Sequence, residues 1–276
     1  MNHLKLKKRQ LKTEPALILA GFGTTSNSNI IYEKFHQAVQ ERYPSMRCLI
    51  AYTSEIVRAK TGLGSIHECL ATLEKEGYRK AIVLPLHIFP ATEYRLLCSL
   101  CESYPEMRLS VAETLAHRWP YIEDIFTTFE NDFLTPETGL NLVIGHGSPL
   151  AAEPANIVYL GMETYCQKMY DNVLFATIDG IPSMEMMLRQ IRKGDFTGKK
   201  ARIIPMTITS GKHVKDDLLE GDESLNHQLV ELGFEVNWLS QEVDGQTFTK
   251  CLGFYPEIIA MFVDRIERSL QLIEIY

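Results

Sequence analysis

Short apolar runs and longer amphipathic stretches alternate along the chain. Eight runs of strand length, at 16–22, 47–53, 80–88, 108–113, 141–145, 173–178, 201–209 and 235–239, each end in Gly, Pro or polar residues. Continuous apolarity, as in Ala81-Ile82-Val83-Leu84, marks strands covered on both faces. Stretches with helical periodicity follow them, at 29–43, 65–76, 93–104, 120–133, 154–170, 184–193, 216–232 and 256–272. Strand–helix alternation implies parallel sheets joined by right-handed crossovers.

The pattern also repeats. Leu17-Ile18-Leu19-Ala20-Gly21-Phe22-Gly23-Thr24 resembles Leu142-Val143-Ile144-Gly145-His146-Gly147-Ser148, and Ala81-Ile82-Val83-Leu84-Pro85-Leu86 resembles Ala201-Arg202-Ile203-Ile204-Pro205-Met206. We read an internal duplication, divided at Leu134-Thr135-Pro136-Glu137-Thr138-Gly139. The expected organisation is a disordered basic leader over 1–14, an N-terminal α/β half over 15–135 and a C-terminal α/β half over 136–276. The fold class is α/β, with two similar Rossmann-like halves, parallel sheets and a cleft between them. Ligands of such folds bind at the carboxyl ends of the strands.

Composition narrows the function. The net charge of −7 argues against a general nucleic-acid binder, which carries a basic excess. The leader holds Lys5, Lys7, Lys8, Arg9 and Lys12, but no continuous apolar stretch follows them before Pro15, as a signal peptide requires. The run 16–20 is too short to span a membrane. Six scattered cysteines read as reduced thiols, so the expected location is the cytoplasm, with no membrane partner. Cys98 and Cys101 form a single C-x-x-C without a second half, and we read them as packing residues. No Gly-x-x-x-x-Gly-Lys-Ser/Thr phosphate loop occurs, so no nucleotide is called for.

Candidate chemistry sits just beyond the strand ends. There the duplication places His146 and His213 in one half, with Glu93 across the cleft. Two imidazoles and a carboxylate suit a borderline divalent metal such as cobalt, iron or nickel. The glycines flanking His146 let the backbone turn tightly and a flat ligand come close. Gly-His-Gly-Ser alone is a short motif, and a lone strand-end histidine serves structure more often than metal.

Taken together and in order, the motifs are more specific. Gly145-His146-Gly147, the segment from Ser210-Gly211-Lys212-His213 to Asp216-Asp217, and Leu86-His87-Ile88 followed by Glu93-Tyr94 resemble the anaerobic sirohydrochlorin cobaltochelatase family of CbiK type. These are class II chelatases with a ferrochelatase-like fold. Gly21-Phe22-Gly23-Thr24 matches the family's Ser-Phe-Gly-Thr opening with one change, and the resemblance runs from about Ala16 to Leu270. It implies ATP-independent insertion of Co²⁺, with Fe²⁺ or Ni²⁺ as alternatives, into a sirohydrochlorin-type tetrapyrrole of the cobalamin pathway. It further implies no permanent cofactor, and a homo-oligomer.

Carried over by position, His146 and His213 are metal ligands, and Glu93 is a proton acceptor or a station for the incoming ion. Asp179, in Asp179-Gly180-Ile181-Pro182, stands where the family has Glu-Gly-x-Pro and is a third, shorter-armed ligand. Phe22 and Phe89 are candidates for the macrocycle face, and His87 for the site wall. Lys212 replaces the family's aspartate beside the second histidine. Its ammonium opposes a metal if it points inward, and serves a substrate carboxylate if it points to the rim. Lys215, Arg95 and Arg189 are further candidate rim cations. The rival reading is a carrier that binds metal or tetrapyrrole without turnover.

Overall fold

A computed structural model describes residues 10–25, 27–194 and 196–275. The expected disordered leader falls mostly on residues 1–9, outside the described residues. Beyond them the Lys12 N–H donates to the Gly77 carbonyl at 3.0 Å, and the Lys12 ammonium lies 4.1 Å from the Tyr78 ring centre.

All eight expected strands form. β1 (Ala16–Gly21), β2 (Cys48–Tyr52), β3 (Lys80–Pro85) and β4 (Arg108–Val111) make a parallel sheet in the order β2-β1-β3-β4. β5 (Gly139–Gly147), β6 (Val173–Asp179), β7 (Lys200–Pro205) and β8 (Glu235–Trp238) repeat it as β6-β5-β7-β8. The register repeats as well: Ala20 pairs with Pro85, and Ile144 pairs with Pro205. The next residue closes both ladders alike, Leu86 N–H on the Ala20 carbonyl and Met206 N–H on the Ile144 carbonyl, each at 2.7 Å.

In this frame Phe22 is the counterpart of His146. Glu93 stands as far beyond Pro85 as His213 stands beyond Pro205. Gly23 and Gly147 both take positive φ, +90° and +83°, which a side chain would strain. A Cβ at Gly147 would overlap the Asp179 carbonyl, so β5 and β6 approach only because that position is glycine.

The helices are α1 (Ile30–Arg42), α2 (Glu55–Thr61), α3 (Ile66–Lys75), α4 (Thr92–Glu102), α5 (Trp119–Phe129), α6 (Asn156–Met169), α7 (Met184–Lys193), α8 (Leu225–Glu231) and α9 (Pro256–Ile275). Serine side chains start four of them. Ser54, Ser65, Ser183 and Ser224 accept from the third residue onward, and Glu68 completes a capping box with Ser65. Cys98 and Cys101 lie in α4 as free thiols, and burial pushes the Cys101 thiol up to about 12.

Two features depart from expectation. The helix expected over 216–232 is broken into a π-helical segment, Val214–Glu220, and α8. A Cβ at Gly221 would overlap the Asp216 carbonyl, and Ser224 then caps a fresh helix. A hairpin of β9 (Ser240–Val243) and β10 (Gln246–Thr249) was not expected. Its turn is Asp244-Gly245, both at positive φ, the backbone of a tight hairpin. The last helix also reaches beyond its own half: α9 lies against β3, β4 and α1.

The joint between the halves is latched by two asparagines. Fully buried Asn141 accepts from Leu134 N–H at 2.8 Å and donates to its carbonyl at 3.0 Å. Asn172 donates to the Leu134 and Gly139 carbonyls, both at 2.7 Å. Replacing Asn141 by leucine keeps the volume but strands the Leu134 N–H, whose only acceptor here is the Asn141 carboxamide. Asn141→Leu is expected to cost roughly 1–3 kcal/mol, seen as a lower urea midpoint with an unchanged slope.

Candidate active site

Each sheet has its topological switch point between its first and third strands, where ligands of α/β folds collect. In the second half those strands are β5 and β7. His146 ends β5 and His213 follows β7, so the fold delivers one imidazole from each side of the switch point. Their ring centres are 5.0 Å apart at an interplanar angle of 77°, and both side chains are exposed.

Both rings are oriented through Nδ1. His213 Nδ1 lies 2.8 Å from Asp217 Oδ2, and His146 Nδ1 lies 3.3 Å from the Gly147 carbonyl. Oxygen acceptors at Nδ1 fix the proton there and leave each Nε2 lone pair free to bind a cation. Asp217 reaches His213 because the two are neighbours one turn apart on the wide-turned Val214–Glu220 segment, of a kind often found at functional sites.

The metal set expected from the sequence is only partly brought together. Among the described residues no group of three or more His, Cys, Asp or Glu side chains gathers around one point. Asp179 ends β6, which pairs with β5 on the side away from β7. It is thus a neighbour of His146's strand but two strand spacings, about 10 Å, from the strand that leads to His213. Asp179 pairs with Gly147, so its strand end lies directly beside that of His146.

Across the cleft, exposed Glu93 lies in the first turn of α4. Phe22 is 52% exposed at the end of β1, as a macrocycle-facing residue needs to be. Phe89 is not available for that role. It is buried in the core shared by the halves, its ring 4.6 Å from Tyr159, where the chain leaving β3 turns inward against Gly145. His87 is half-buried, yet both its ring nitrogens are sealed from solvent without a hydrogen-bond partner. Burial alone pushes its imidazole down to about 4 from 6.5.

The candidate rim cations are all engaged. Lys212 is 87% exposed and pairs with Asp216 at 3.8 Å. Lys215 pairs with Glu220 at 3.3 Å and Arg189 with Glu185 on the surface. Arg95 turns to Glu153 of the other half. The sequence reading missed both Asp217 and Glu153 as site residues. The four-residue spacing from His213 marked Asp217 as reachable; nothing local marked Glu153.

With this geometry in hand, comparison with known proteins is decisive at the family level. The family model described as cobalt chelatase (CbiK) matches residues 15–271. The chain belongs to the CbiK cobalt chelatase family. A relative, the sirohydrochlorin cobaltochelatase CbiKC of Nitratidesulfovibrio vulgaris, is 23% identical over 251 residues, covering 80% of this chain and 81% of that protein. The fold is that of SirB from Bacillus subtilis with Fe³⁺, with a TM-score of 0.63 at 14% identity, covering 93% of this chain and 96% of that one. The sirohydrochlorin chelatase SirB from B. subtilis subspecies spizizenii, in complex with cobalt, matches at 0.61 and 13%, covering 94% and 96%. Among the described residues of this CbiK-family chain, no helix is long and apolar enough to cross a membrane.

Two measurements follow. Asp217→Ala is expected to weaken Co²⁺ binding by about 10–100-fold in a calorimetric titration, with the circular dichroism spectrum unchanged. His87 carries a proton in the unfolded chain below about 6.5 but is held to about 4 when folded. Between those values the unfolded state binds the extra proton, so stability falls as pH falls. His87→Phe is expected to flatten that part of the curve of unfolding midpoint against pH.

Proposed function

We propose that this chain inserts Co²⁺ into sirohydrochlorin, with His146 and His213 holding the ion on one wall of the cleft and Glu93 facing it from the other. The observation that carries this reading is the imidazole pair, 5.0 Å apart and exposed at the switch point of a CbiK-family fold. Insertion breaks two pyrrole N–H bonds and forms bonds from the ring nitrogens to cobalt. The protons must leave as the ion leaves its protein ligands. Two imidazoles grip a borderline cation while leaving most of its coordination sphere to water and then to pyrrole nitrogens. Glu93 accepts one proton on the opposite face, and an imidazole relieved of the ion accepts the other.

The remaining roles follow from exposure and pairing. Phe22 lies against the macrocycle. His87, neutral and with both nitrogens unpartnered, turns its ring to the bound substrate's edge. Lys212 leaves Asp216 to meet one of the eight carboxylates of sirohydrochlorin, since an exposed pair at 3.8 Å is weak and easily exchanged. Asp179, beside His146's strand, is the third and shorter-armed ligand of the ion, and no permanent cofactor takes part. The chain works in the cytoplasm as a homo-oligomer.

The test is anaerobic incubation of the purified protein with sirohydrochlorin and Co²⁺, followed by absorbance, with Fe²⁺ and Ni²⁺ run in parallel. Insertion well above the spontaneous rate is expected with Co²⁺, falling by more than about 100-fold in His146→Ala and His213→Ala. Pigment that binds but gains no metal faster than background would sink the enzyme reading in favour of a carrier.

A further inference from the structure

Glu153 lies where a carboxylate is hardest to keep. Its side chain is 1% exposed, and a buried charge persists only when paired and hydrogen-bonded. Four donors meet it. Thr92 Oγ1 donates to one oxygen, Arg95 Nη1 and Nη2 donate at 2.6 and 3.2 Å, and the Ala155 N–H donates at 3.2 Å. Arg95 Nη2 also reaches Thr92 Oγ1 at 3.2 Å, so the three side chains form a closed ring.

This ring joins the two walls of the site. Thr92 and Arg95 belong to the first turn of α4, and Glu93 stands between them. Glu153 belongs to the loop that leaves β5 directly after His146 and runs into α6. That loop is stiff: Glu153 N–H donates to the Leu150 carbonyl at 3.0 Å, and Asn156 Nδ2 donates to the Leu150 and Ala151 carbonyls at 2.9 and 3.2 Å. Helix α4 has no side-chain cap of its own, since Ala91 occupies that position. Its N-terminus is pinned across the cleft by Glu153.

We propose that Glu153 is a positioning residue for metal insertion, its clasp on Thr92 and Arg95 setting the span between Glu93 and the histidine pair. The proposal rests on the chelatase reading above. A thin macrocycle receives its ion from one face and loses a proton to the other, so both walls must be in reach at once. A misplacement of about 1 Å in such an arrangement costs on the order of 100-fold in rate.

The experiment uses Glu153→Gln, which keeps the shape and removes the charge, and Arg95→Gln, which opens the clasp from its exposed end should the first variant not fold. Hydrogen exchange is expected to quicken in the first turn of α4 and stay unchanged in β5. The turnover number for Co²⁺ insertion should fall about 10–100-fold, while Co²⁺ affinity of the substrate-free protein stays within about twofold, because the partners that orient the histidines, the Gly147 carbonyl and Asp217, take no part in the clasp. On the residual rate of Glu93→Gln, adding the clasp variant should cost nothing more. The proposal is overturned by unchanged exchange in α4, by Co²⁺ affinity falling with the rate, or by losses that multiply with Glu93→Gln. A wild-type protein that inserts no cobalt sinks the chelatase reading instead. Exchange confined to α4 then still supports the clasp, and unchanged exchange still overturns it.

Discussion

Two parallel sheets, apolar on both faces, present four surfaces that must all be covered. The outer pair is covered locally. Helices α3 and α4 bury one face of the first sheet around Ile18, Ala81 and Val83, and α7, the π-helical segment and α8 bury one face of the second around Leu142 and Ile144. The remaining two faces share a single core. Leu17, Leu19, Ile82 and Leu84 of the first sheet join Val143, Phe175 and Ile204 of the second, with α1, α5, α6 and α9 between them. Neither half completes its own core, which is why α9 returns to the first sheet. The loops beyond the strand ends then meet: Ser28 Oγ reaches the Ser210 carbonyl at 3.1 Å, and Asn27 reaches Gln246 at 3.1 Å. The cleft is what this shared core holds in place.

The duplication also shows how chemistry was divided between equivalent places. At the end of the first strand the two halves carry Phe22 and His146; beyond the third strand they carry Glu93 and His213. One half offers an apolar plate and a carboxylate, the other two imidazoles. In the function proposed above, a ligand lying flat between them meets an ion donor on one side and a proton acceptor on the other. The same backbone, with the same positive-φ glycine after the first strand, serves both. The asymmetry of the reaction is written in four side chains on a symmetric frame.

Much of this was legible in the sequence because strand and strand-end signals are local. Unbroken runs such as Ala81 to Leu84 can only be strands buried on both faces, and the proline in register in each half marked the repeat. The helix over 216–232 was misread because its apolar periodicity continues through Gly221, where backbone crowding and a serine cap break it. The hairpin was overlooked although Asp244-Gly245 is a strong turn signal, since its strands are polar and short. Phe89 was misplaced for a different reason. Whether a strand-end side chain faces a cleft depends on what packs against it, and its neighbours Gly145 and Tyr159 belong to the other half. Glu153 carried no local signal at all, because its partners sit on the opposite half.

The proposed reaction asks for a weak grip on the metal. A closed tetrahedral site of four protein ligands holds its metal as structure and does not give it up. A pair of imidazoles, each held only through Nδ1, binds a cation loosely enough to exchange it for four ring nitrogens. Lys212 fits the same logic. Its positive charge is paired with Asp216, while its exposure lets it respond to an arriving carboxylate. In the proposed reaction the metal's departure is thus driven by the macrocycle's better ligand set, and the protein's part is to keep its own grip weak and its two walls the right distance apart.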